Sequence, residues 1–196
     1  MPIASGVYQH RDNGIANGIT ETWQINRHTA TTYRQQITFK AHYTLTADVL
    51  FDDDFNMTDF IYKTDDGLNG HYQINDNQLW VKRTLAGNTR LEDKLVWSAE
   101  TILDLPFLSC KGHTILHLNQ YGTVPTFAPL LRSGDRAGDL AKKSVTSHGD
   151  SKVIMIDTAY TAIHYHYMRD YWLDTHGMVL RAVDKTYEMI LVEYQR

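Results

Sequence analysis

The chain of 196 residues is 42% hydrophobic and 21% charged, the balance of an ordinary globular protein, which excludes a disordered or collagen-like chain. Its net charge of -4 does not supply the basic surface that binding to a phosphate backbone requires, so nucleic acid is excluded as a partner. The single cysteine, Cys110, leaves neither an internal disulfide nor a cysteine cluster for zinc. The length predicts one domain spanning residues 1–196.

The first residues, 1–11, lack the charged and then apolar architecture of a secretory signal. No apolar run approaches the roughly 18 residues that a membrane span requires. We therefore expect a cytoplasmic protein that does not span a membrane.

Residues 33–51 alternate between apolar and polar side chains. The odd positions are mostly apolar or aromatic, as at Ile37 and Phe39, and the even positions are polar except for Leu50. Successive side chains of a strand point to opposite faces, whereas a helix would scatter these apolar residues around its axis. The pattern predicts one long half-buried strand, or two strands that meet at a bulge.

Turn-forming clusters of Asp, Asn and Gly recur at short spacing along the rest of the chain. The runs between them are rich in aromatic and β-branched residues, and the predicted strands are 19–25, 57–64, 71–74, 79–85, 89–97, 114–118, 153–156, 160–173, 178–183 and 186–194. Such tight connections predict an all-β fold, an antiparallel meander of about ten strands. Twisted sheets of that size rarely stay flat, so we expect a half-barrel, a barrel or a roll, with one or two short helices.

Two segments break this pattern. Residues 98–103 begin with Ser98, a candidate N-cap, and predict one or two helical turns that end before Pro106. Residues 122–150 predict a long loop or lid with at most one short helix, near 139–143.

Histidines suggest a metal site in the segment 160–177. His164 and His166 share one face of a strand with Asp170, a spacing that suits two imidazoles and a carboxylate on one metal ion. The order His-x-His, three residues, Asp170, six residues, Gly177 resembles the first metal-binding motif of the cupin family. His113 and His117, four residues apart, would share a face of a strand and could complete the same site with zinc or iron. The alternative is that all four are ordinary polar residues of exposed strands.

The chain also has 12 Tyr and 4 Trp, more than a small filled barrel core needs. These side chains predict an aromatic-lined cavity whose hydroxyl and indole groups suit an amphiphilic ligand. Its candidate ligand-binding residues are Trp23, Tyr43, Trp80, Trp97, Tyr165 and Tyr167. Candidate cations at its mouth, which could hold a carboxylate or phosphate, are Arg34, Lys82, Arg169 and Arg181.

The alternating strands, the break at Leu103-Asp104-Leu105-Pro106-Phe107 and the stretch 171–181 resemble the open half-barrel group. That group contains the bacterial lipoprotein carriers and a glycolipid-binding family. The resemblance implies an apolar concave sheet face, covered by a short helix or loop, that holds a lipid-like molecule. Segment 122–150 would be the natural cover.

Three hypotheses follow for function. The first is a binding protein, without a cofactor, that holds an amphiphilic or lipid-like small molecule in a β-barrel cavity. The alternative is a barrel enzyme, an isomerase, cyclase or hydrolase, that uses a Tyr/His acid–base pair or a cupin-like histidine site with a divalent metal such as zinc or iron. The third is an interaction module that forms a homodimer through its sheet.

Overall fold

The computed structural model describes residues 2–54, 56–132, 136–148, 152–157, 167–174, 177–185 and 187–196. The helix found among these residues is α1 (Leu108–Tyr121). The strands are β1 (Ala4–Asp12), β2 (Ile15–Arg27), β3 (Thr32–Lys40), β4 (Thr44–Asp52), β5 (Met57–Thr64), β6 (Leu68–Asn75), β7 (Gln78–Leu85), β8 (Asn88–Val96), β9 (Ile102–Leu103), β10 (Val124–Pro129), β11 (Gly138–His148), β12 (Lys152–Asp157), β13 (Tyr167–Leu173), β14 (Val179–Asp184) and β15 (Tyr187–Gln195).

All these strands belong to one sheet, in the order β8-β7-β6-β5-β4-β3-β2-β1-β15-β14-β13-β12-β11-β10-β9. Neighbours are antiparallel, except that β9 and β10 run parallel. The predicted all-β class and antiparallel meander are confirmed. The first strand, β1, pairs with the last, β15, and so joins the two halves of the meander.

The described strands number fifteen rather than about ten, partly because β1 has no clear hydrophobic pattern. Its buried positions include Gly6 and His10. Gly6 must be small, because a Cβ there would lie 2.8 Å from the ring of Trp23 on the neighbouring strand. A strand that buries a small residue against a large one on the neighbouring strand therefore lacks the alternation of apolar side chains by which strands are predicted.

The alternating segment 33–51 is two strands, β3 and β4, joined by a turn at 41–43. Their register pairs Phe39 with Leu45 and Ile37 with Ala47, so odd positions face odd positions across the turn. The apolar side chains of both strands therefore lie on the same, inner face of the sheet. The alternation runs through the turn unbroken, which is why the sequence does not reveal it.

The sheet curls so that its two halves face each other. The rings of Phe60 in β5 and Phe107 before α1 are 6.1 Å apart, and those of Trp97 after β8 and Phe127 in β10 are 6.2 Å apart. The edges, β8 and β9, do not pair with each other in the described part of the chain. Among the residues that the structure describes, the curled sheet is therefore open and no closed barrel is found.

Helix α1 fills the interior of the curled sheet. The predicted strand at 114–118 is wrong, because these residues lie in α1, where Thr114, Ile115 and Leu118 are buried. Gly112, His113 and Thr114 are poor helix formers, so packing against the sheet decides the conformation. No helix of the described residues has the length and apolar character needed to cross a membrane.

The predictions for the two segments expected to interrupt the sheet are also wrong. Residues 98–103 form a turn and the short strand β9. The Ser98 hydroxyl accepts a hydrogen bond from the Glu100 N–H and the Ser98 carbonyl accepts one from the Thr101 N–H, without starting a helix. Most of the expected lid at 122–150 is the hairpin of β10 and β11, and the predicted helix at 139–143 lies within β11. In the connection 130–137 between those two strands, the described residues are 130–132 and 136–137.

Candidate functional site: an apolar pocket at one end of the inner helix

The two ends of α1 face two different openings of the curled sheet. Because the strands are antiparallel, the β3–β4, β5–β6 and β10–β11 connections lie at the N-terminal end of α1. The β4–β5 and β6–β7 turns lie at its C-terminal end. A cavity lies at each opening, and we name them the Arg132 pocket and the Trp97 pocket.

The Arg132 pocket, at the N-terminal end of α1, has a volume of about 390 Å³. Its wall comes from the β3–β4 hairpin, the segment before α1 and the connection after β10. The lining residues are Phe39, Tyr43, Leu45, Pro106, Phe107, Pro129, Leu130, Leu131 and Arg132. All but Arg132 are apolar or aromatic, so the pocket offers apolar contact area with a charge at one position.

The guanidinium of Arg132 lies over the ring of Tyr43, with its Cζ atom 4.8 Å from the ring centroid. It also forms an ion pair with Asp66, in the β5–β6 turn, and its side chain is 47% exposed. Hydrogen bonds from Thr64 and Arg132 lower the pKa of Asp66. Stacking and pairing hold Arg132 at the mouth of the pocket with part of its surface in water.

Three buried side chains of the sheet hold the connection that carries Arg132. The hydroxyls of Tyr62 and Tyr72 donate hydrogen bonds to the carbonyls of Leu131, at 2.5 Å, and Ala137, at 2.8 Å. Arg83, which is 1% exposed, donates to the carbonyl of Leu130 at 2.6 Å and to that of Arg136.

Burial raises the pKa of Tyr62 to about 12 and also raises that of Tyr72, so both hydroxyls keep the protons that they donate. All of these hydrogen bonds end on backbone carbonyl oxygens. The positions of residues 130–131 and 136–137 are therefore set by their main-chain oxygens.

A buried carboxylate fixes the helix beneath the pocket. Glu21 is paired across strands with Phe39, and its two oxygens accept hydrogen bonds from the N–H groups of Leu108 and Ser109, each at 2.8 Å. These N–H groups have no partner within the helix, and Phe107, the N-cap residue, makes no side-chain capping bond. Burial raises the pKa of Glu21, although the hydrogen bonds from Ser109 and Leu108 oppose the shift. Glu21 therefore acts as a remote cap that places Phe107 in the pocket wall.

A buried ionic cluster fixes α1 to β11. Asp104, 2% exposed, accepts hydrogen bonds from the ammonium groups of Lys111 and Lys143, the latter at 2.5 Å, and from the Thr114 hydroxyl at 3.2 Å. Burial alone would raise the pKa of Asp104, but the two ammonium groups lower it to about 2. The cluster joins the segment before α1, the helix and the far half of the sheet.

Of the predicted aromatic ligand residues, the structure places only Tyr43 in this pocket. Trp23 is buried on the inner face and stacks on Tyr8 with ring centroids 6.4 Å apart. Trp97 lines the other pocket. Trp80 lies on the outer face, because its neighbours Leu79 and Val81 point inward, and its ring contacts His71 there. The prediction that Trp80 lines a cavity is therefore wrong.

Of the four cations predicted at the mouth, Arg34, Lys82 and Arg181 lie on the outer face as well. Arg34 pairs with Asp48 at 2.8 Å, and Lys82 pairs with Glu92 at 3.6 Å. Arg181 pairs with Glu188, and its Cζ atom lies 4.8 Å from the ring centroid of Trp172. Each belongs to the strand face opposite the buried residues, which contradicts the prediction that these cations guard an inner cavity.

The predicted metal site falls largely on residues that the structure does not describe. His164, Tyr165 and His166 lie outside the described residues, as do the side chains of Tyr167 and Arg169. Asp170 is half-buried in β13. In the described ranges, no group of three or more His, Cys, Asp and Glu side chains could hold a metal ion.

His113 and His117 lie one turn apart on α1, so they share a helix face rather than a strand face. Both line the Trp97 pocket. The expectation that they sit on a strand is therefore wrong, while their common orientation is as predicted.

Sequence reasoning missed Arg132, Arg83 and Glu21. The signal for Arg132 is the run Pro129-Leu130-Leu131-Arg132, in which apolar residues of a presumed loop precede a cation. Glu21 and Arg83 each interrupt the inward positions of a strand with a charge, and a charge on an inner face needs a buried partner.

A comparison with known proteins found no matching family model, no matching curated protein and no matching solved structure. The class of protein is therefore defined by the fold and the site alone. It is an all-β chain whose open, curled antiparallel sheet encloses one helix, with an apolar pocket at the N-terminal end of that helix.

Proposed function

We propose that this protein binds an amphiphilic small molecule that carries an acidic head group. The apolar part of the ligand occupies the Arg132 pocket, and the head group binds the guanidinium of Arg132. The observation that carries the proposal is the composition of this pocket, in which one cation stands at the edge of an otherwise apolar and aromatic wall. Lipids and glycolipids with an acidic head belong to this chemical class, in keeping with the half-barrel resemblance.

The size and polarity of the pocket support this assignment. Its volume of about 390 Å³ lies within the roughly 300–1,000 Å³ of small-molecule sites. Burial of an alkyl chain there would gain about 25 cal/mol for each Å² of apolar surface removed from water. The pocket therefore favours a single short chain or a compact ring system.

The existing partner of Arg132 does not prevent head-group binding. A guanidinium has five N–H donors in a planar fork, and Asp66 is bonded to Nη2. Stacking on Tyr43 fixes the plane of the fork, which lowers the conformational entropy lost when an anion binds. A carboxylate or a phosphate fits this geometry.

Isothermal titration calorimetry with decanoate tests the proposal. We expect saturable binding at one site, and Arg132→Ala should weaken it about tenfold at low salt, because a hydrogen bond to a charged group is lost. The matched control is Arg181→Ala. Arg181 also stacks on an aromatic ring at 4.8 Å and pairs with one carboxylate, but it lies on the outer face.

Affinity for decanoate should be unchanged in Arg181→Ala. Filling the pocket with Leu45→Trp should abolish binding while the circular dichroism spectrum stays that of a folded β protein. If decanoate gives no heat of binding, or binds Arg132→Ala and the wild type equally, the proposed function is wrong.

One observation favours the enzyme alternative, an isomerase, cyclase or hydrolase. The Nδ1 atom of His10 and the hydroxyl of Tyr187 are hydrogen-bonded on the inner face. The His10 ring centroid is 5.7 Å from that of Phe39, a residue of the pocket wall. Such a pair could transfer a proton to or from a bound ligand. Mass spectrometry of ligands incubated with wild type and with Tyr187→Phe distinguishes turnover from simple binding.

A cytoplasmic location and a homodimer remain parts of the proposal. The homodimer is tested by light scattering coupled to size-exclusion chromatography, where a strict monomer at high concentration would refute it.

A further inference from the structure

The Trp97 pocket, at the C-terminal end of α1, is a second cavity with different chemistry. Its volume is about 540 Å³, larger than that of the Arg132 pocket. It lies between the β4–β5 and β6–β7 turns on one side and the last turns of α1 on the other. Helix α1 occupies the interior between the two pockets, so they have separate openings.

The lining of this cavity combines an apolar part with acidic residues. Met57, Ile74, Trp97 and Leu103 contribute apolar surface, and Trp97 is only 7% exposed because it packs on Phe127. The acidic lining residues are Asp52, at the end of β4, and Asp54 and Asp76, in the two turns. None of the described lining residues is Lys or Arg.

The two histidines in the lining do not offset this negative charge. His113 lies beside the ring of Phe51, with ring centroids 5.0 Å apart, and burial lowers its pKa to about 4. Burial also lowers the pKa of His117. Both imidazoles are therefore neutral at pH 7 and can accept or donate a hydrogen bond.

We propose that the Trp97 pocket binds an organic cation, a molecule with a protonated amine and an apolar body. The cavity and its tryptophan accommodate the body, since aromatic surfaces attract both apolar groups and cations. Asp54 and Asp76, which are exposed and line the cavity, supply the negative charge that binds the ammonium group. The carboxylate of Asp52 is bonded to the N–H of Asp54 and the amide of Asn56, so it also orders the turn.

Fluorescence titration with dansylcadaverine tests this inference, since the probe joins a primary ammonium to an aromatic body. The emission of the dansyl group shifts to the blue when it enters an apolar cavity. We expect dansylcadaverine to bind about tenfold more tightly than N-pentyl-dansylamide, which lacks only the ammonium. We expect Asp54→Asn/Asp76→Asn to remove most of that difference.

The control is Asp53→Asn, which removes one negative charge from the β4–β5 turn at a residue that does not line the cavity. It should bind dansylcadaverine like the wild type. The filling variant Thr101→Trp should lose binding, and its thermal unfolding curve shows whether it is folded. Equal affinity for the two probes, or equal losses in Asp53→Asn and Asp54→Asn/Asp76→Asn, would overturn the inference.

Competition with decanoate separates this inference from the proposed function. Saturating decanoate should leave dansylcadaverine bound, because the two ligands occupy opposite ends of α1. Displacement of the probe would place it in the Arg132 pocket and refute a second site. Failure of decanoate to bind at all would refute only the proposed function.

Discussion

At the scale of single residues, we expect Asp104 to have the largest effect on the stability of the fold. It is the acidic centre of a buried cluster with two lysines, and a carboxylate in such a position stabilises only while it is ionised. Replacement of a buried ionic partner leaves charge without compensation. Replacement of Asp104 therefore lowers the free energy of unfolding by more than the ion pairs contribute to it on balance.

Asp104→Asn should lower the free energy of unfolding by about 3–5 kcal/mol. The folded pKa of about 2 lies below the unfolded value of roughly 3.9, so this contribution is present above pH 4 and is lost as pH falls towards 2. Urea denaturation at several pH values measures both effects. Asp48→Asn, which breaks the exposed pair with Arg34, should cost at most about 1 kcal/mol.

At the scale of elements, the position of α1 is determined by the residues that pack against it. Its backbone at Gly112 packs directly on the main chain of the β13–β14 turn, because a Cβ at Gly112 would overlap the carbonyl oxygen of Gly177. Gly177 itself has φ of +81°, a conformation that side chains rarely adopt. Two glycines are thus needed where helix and hairpin touch.

Gly112→Ala should destabilise the protein by about 1–3 kcal/mol, because the added methyl group forces the helix away from the turn. In an isolated helix the same change would stabilise by about 1 kcal/mol. Gln120→Ala, at an exposed position of α1, should stay within about 0.5 kcal/mol of the wild type. Thermal unfolding of both variants checks the prediction, which a stabilised Gly112→Ala would contradict.

The elements also show what a sequence can and cannot predict. Period-two alternation identified segment 33–51 as strand because one face of β3 and of β4 is buried, although it did not reveal the turn between them. Helix α1 was missed, since its cap, Glu21, lies 87 residues away in sequence from Leu108. Strands β10 and β11 were missed because prolines and glycines, which usually mark loops, occur at their ends.

At the scale of the whole molecule, the curl of the sheet is held by contacts between its two halves. The Ala137 carbonyl accepts hydrogen bonds from both the Leu130 N–H, at 3.1 Å, and the Tyr72 hydroxyl. Tyr72 in β6 therefore ties the first half of the sheet to the β10–β11 connection. The sequence could predict an aromatic inner face, but not which aromatic hydroxyl would meet which carbonyl.

Tyr72→Phe should increase the rate of hydrogen exchange at the Leu130 amide about fivefold, because one net hydrogen bond of roughly 1 kcal/mol is removed. Exchange at β1 and β2 should stay unchanged. Tyr33→Phe, which removes a hydroxyl that accepts a hydrogen bond from Arg27 on a half-buried ring at the start of β3, is the control. Equal exchange in all three proteins would show that the Tyr72 hydroxyl does not hold the two halves together.

Contacts between residues that are far apart in sequence also explain why only part of the candidate site was predicted correctly. Tyr43 was identified because it lies on the inner face of a strongly patterned segment. Trp80 was misplaced because it lies between Leu79 and Val81, so β7 has large apolar side chains on both faces. Arg181 was misplaced because β14 buries only Val179 and Ala182, a pattern too weak to distinguish its two faces. Arg132 could not be placed without knowing that the carbonyls of Leu130 and Leu131 accept hydrogen bonds from Arg83 in β7 and Tyr62 in β5.

In the residues that precede Arg132, the side chains and the main chain have different roles. Leu130 and Leu131 give their side chains to the pocket and their carbonyls to the sheet. Substitution of these side chains leaves the hydrogen-bonded carbonyl oxygens in place. The lining of the pocket can therefore change while the fold is retained. Libraries randomised at 130–132 should therefore stay folded at high frequency and yield variants with new ligand preferences.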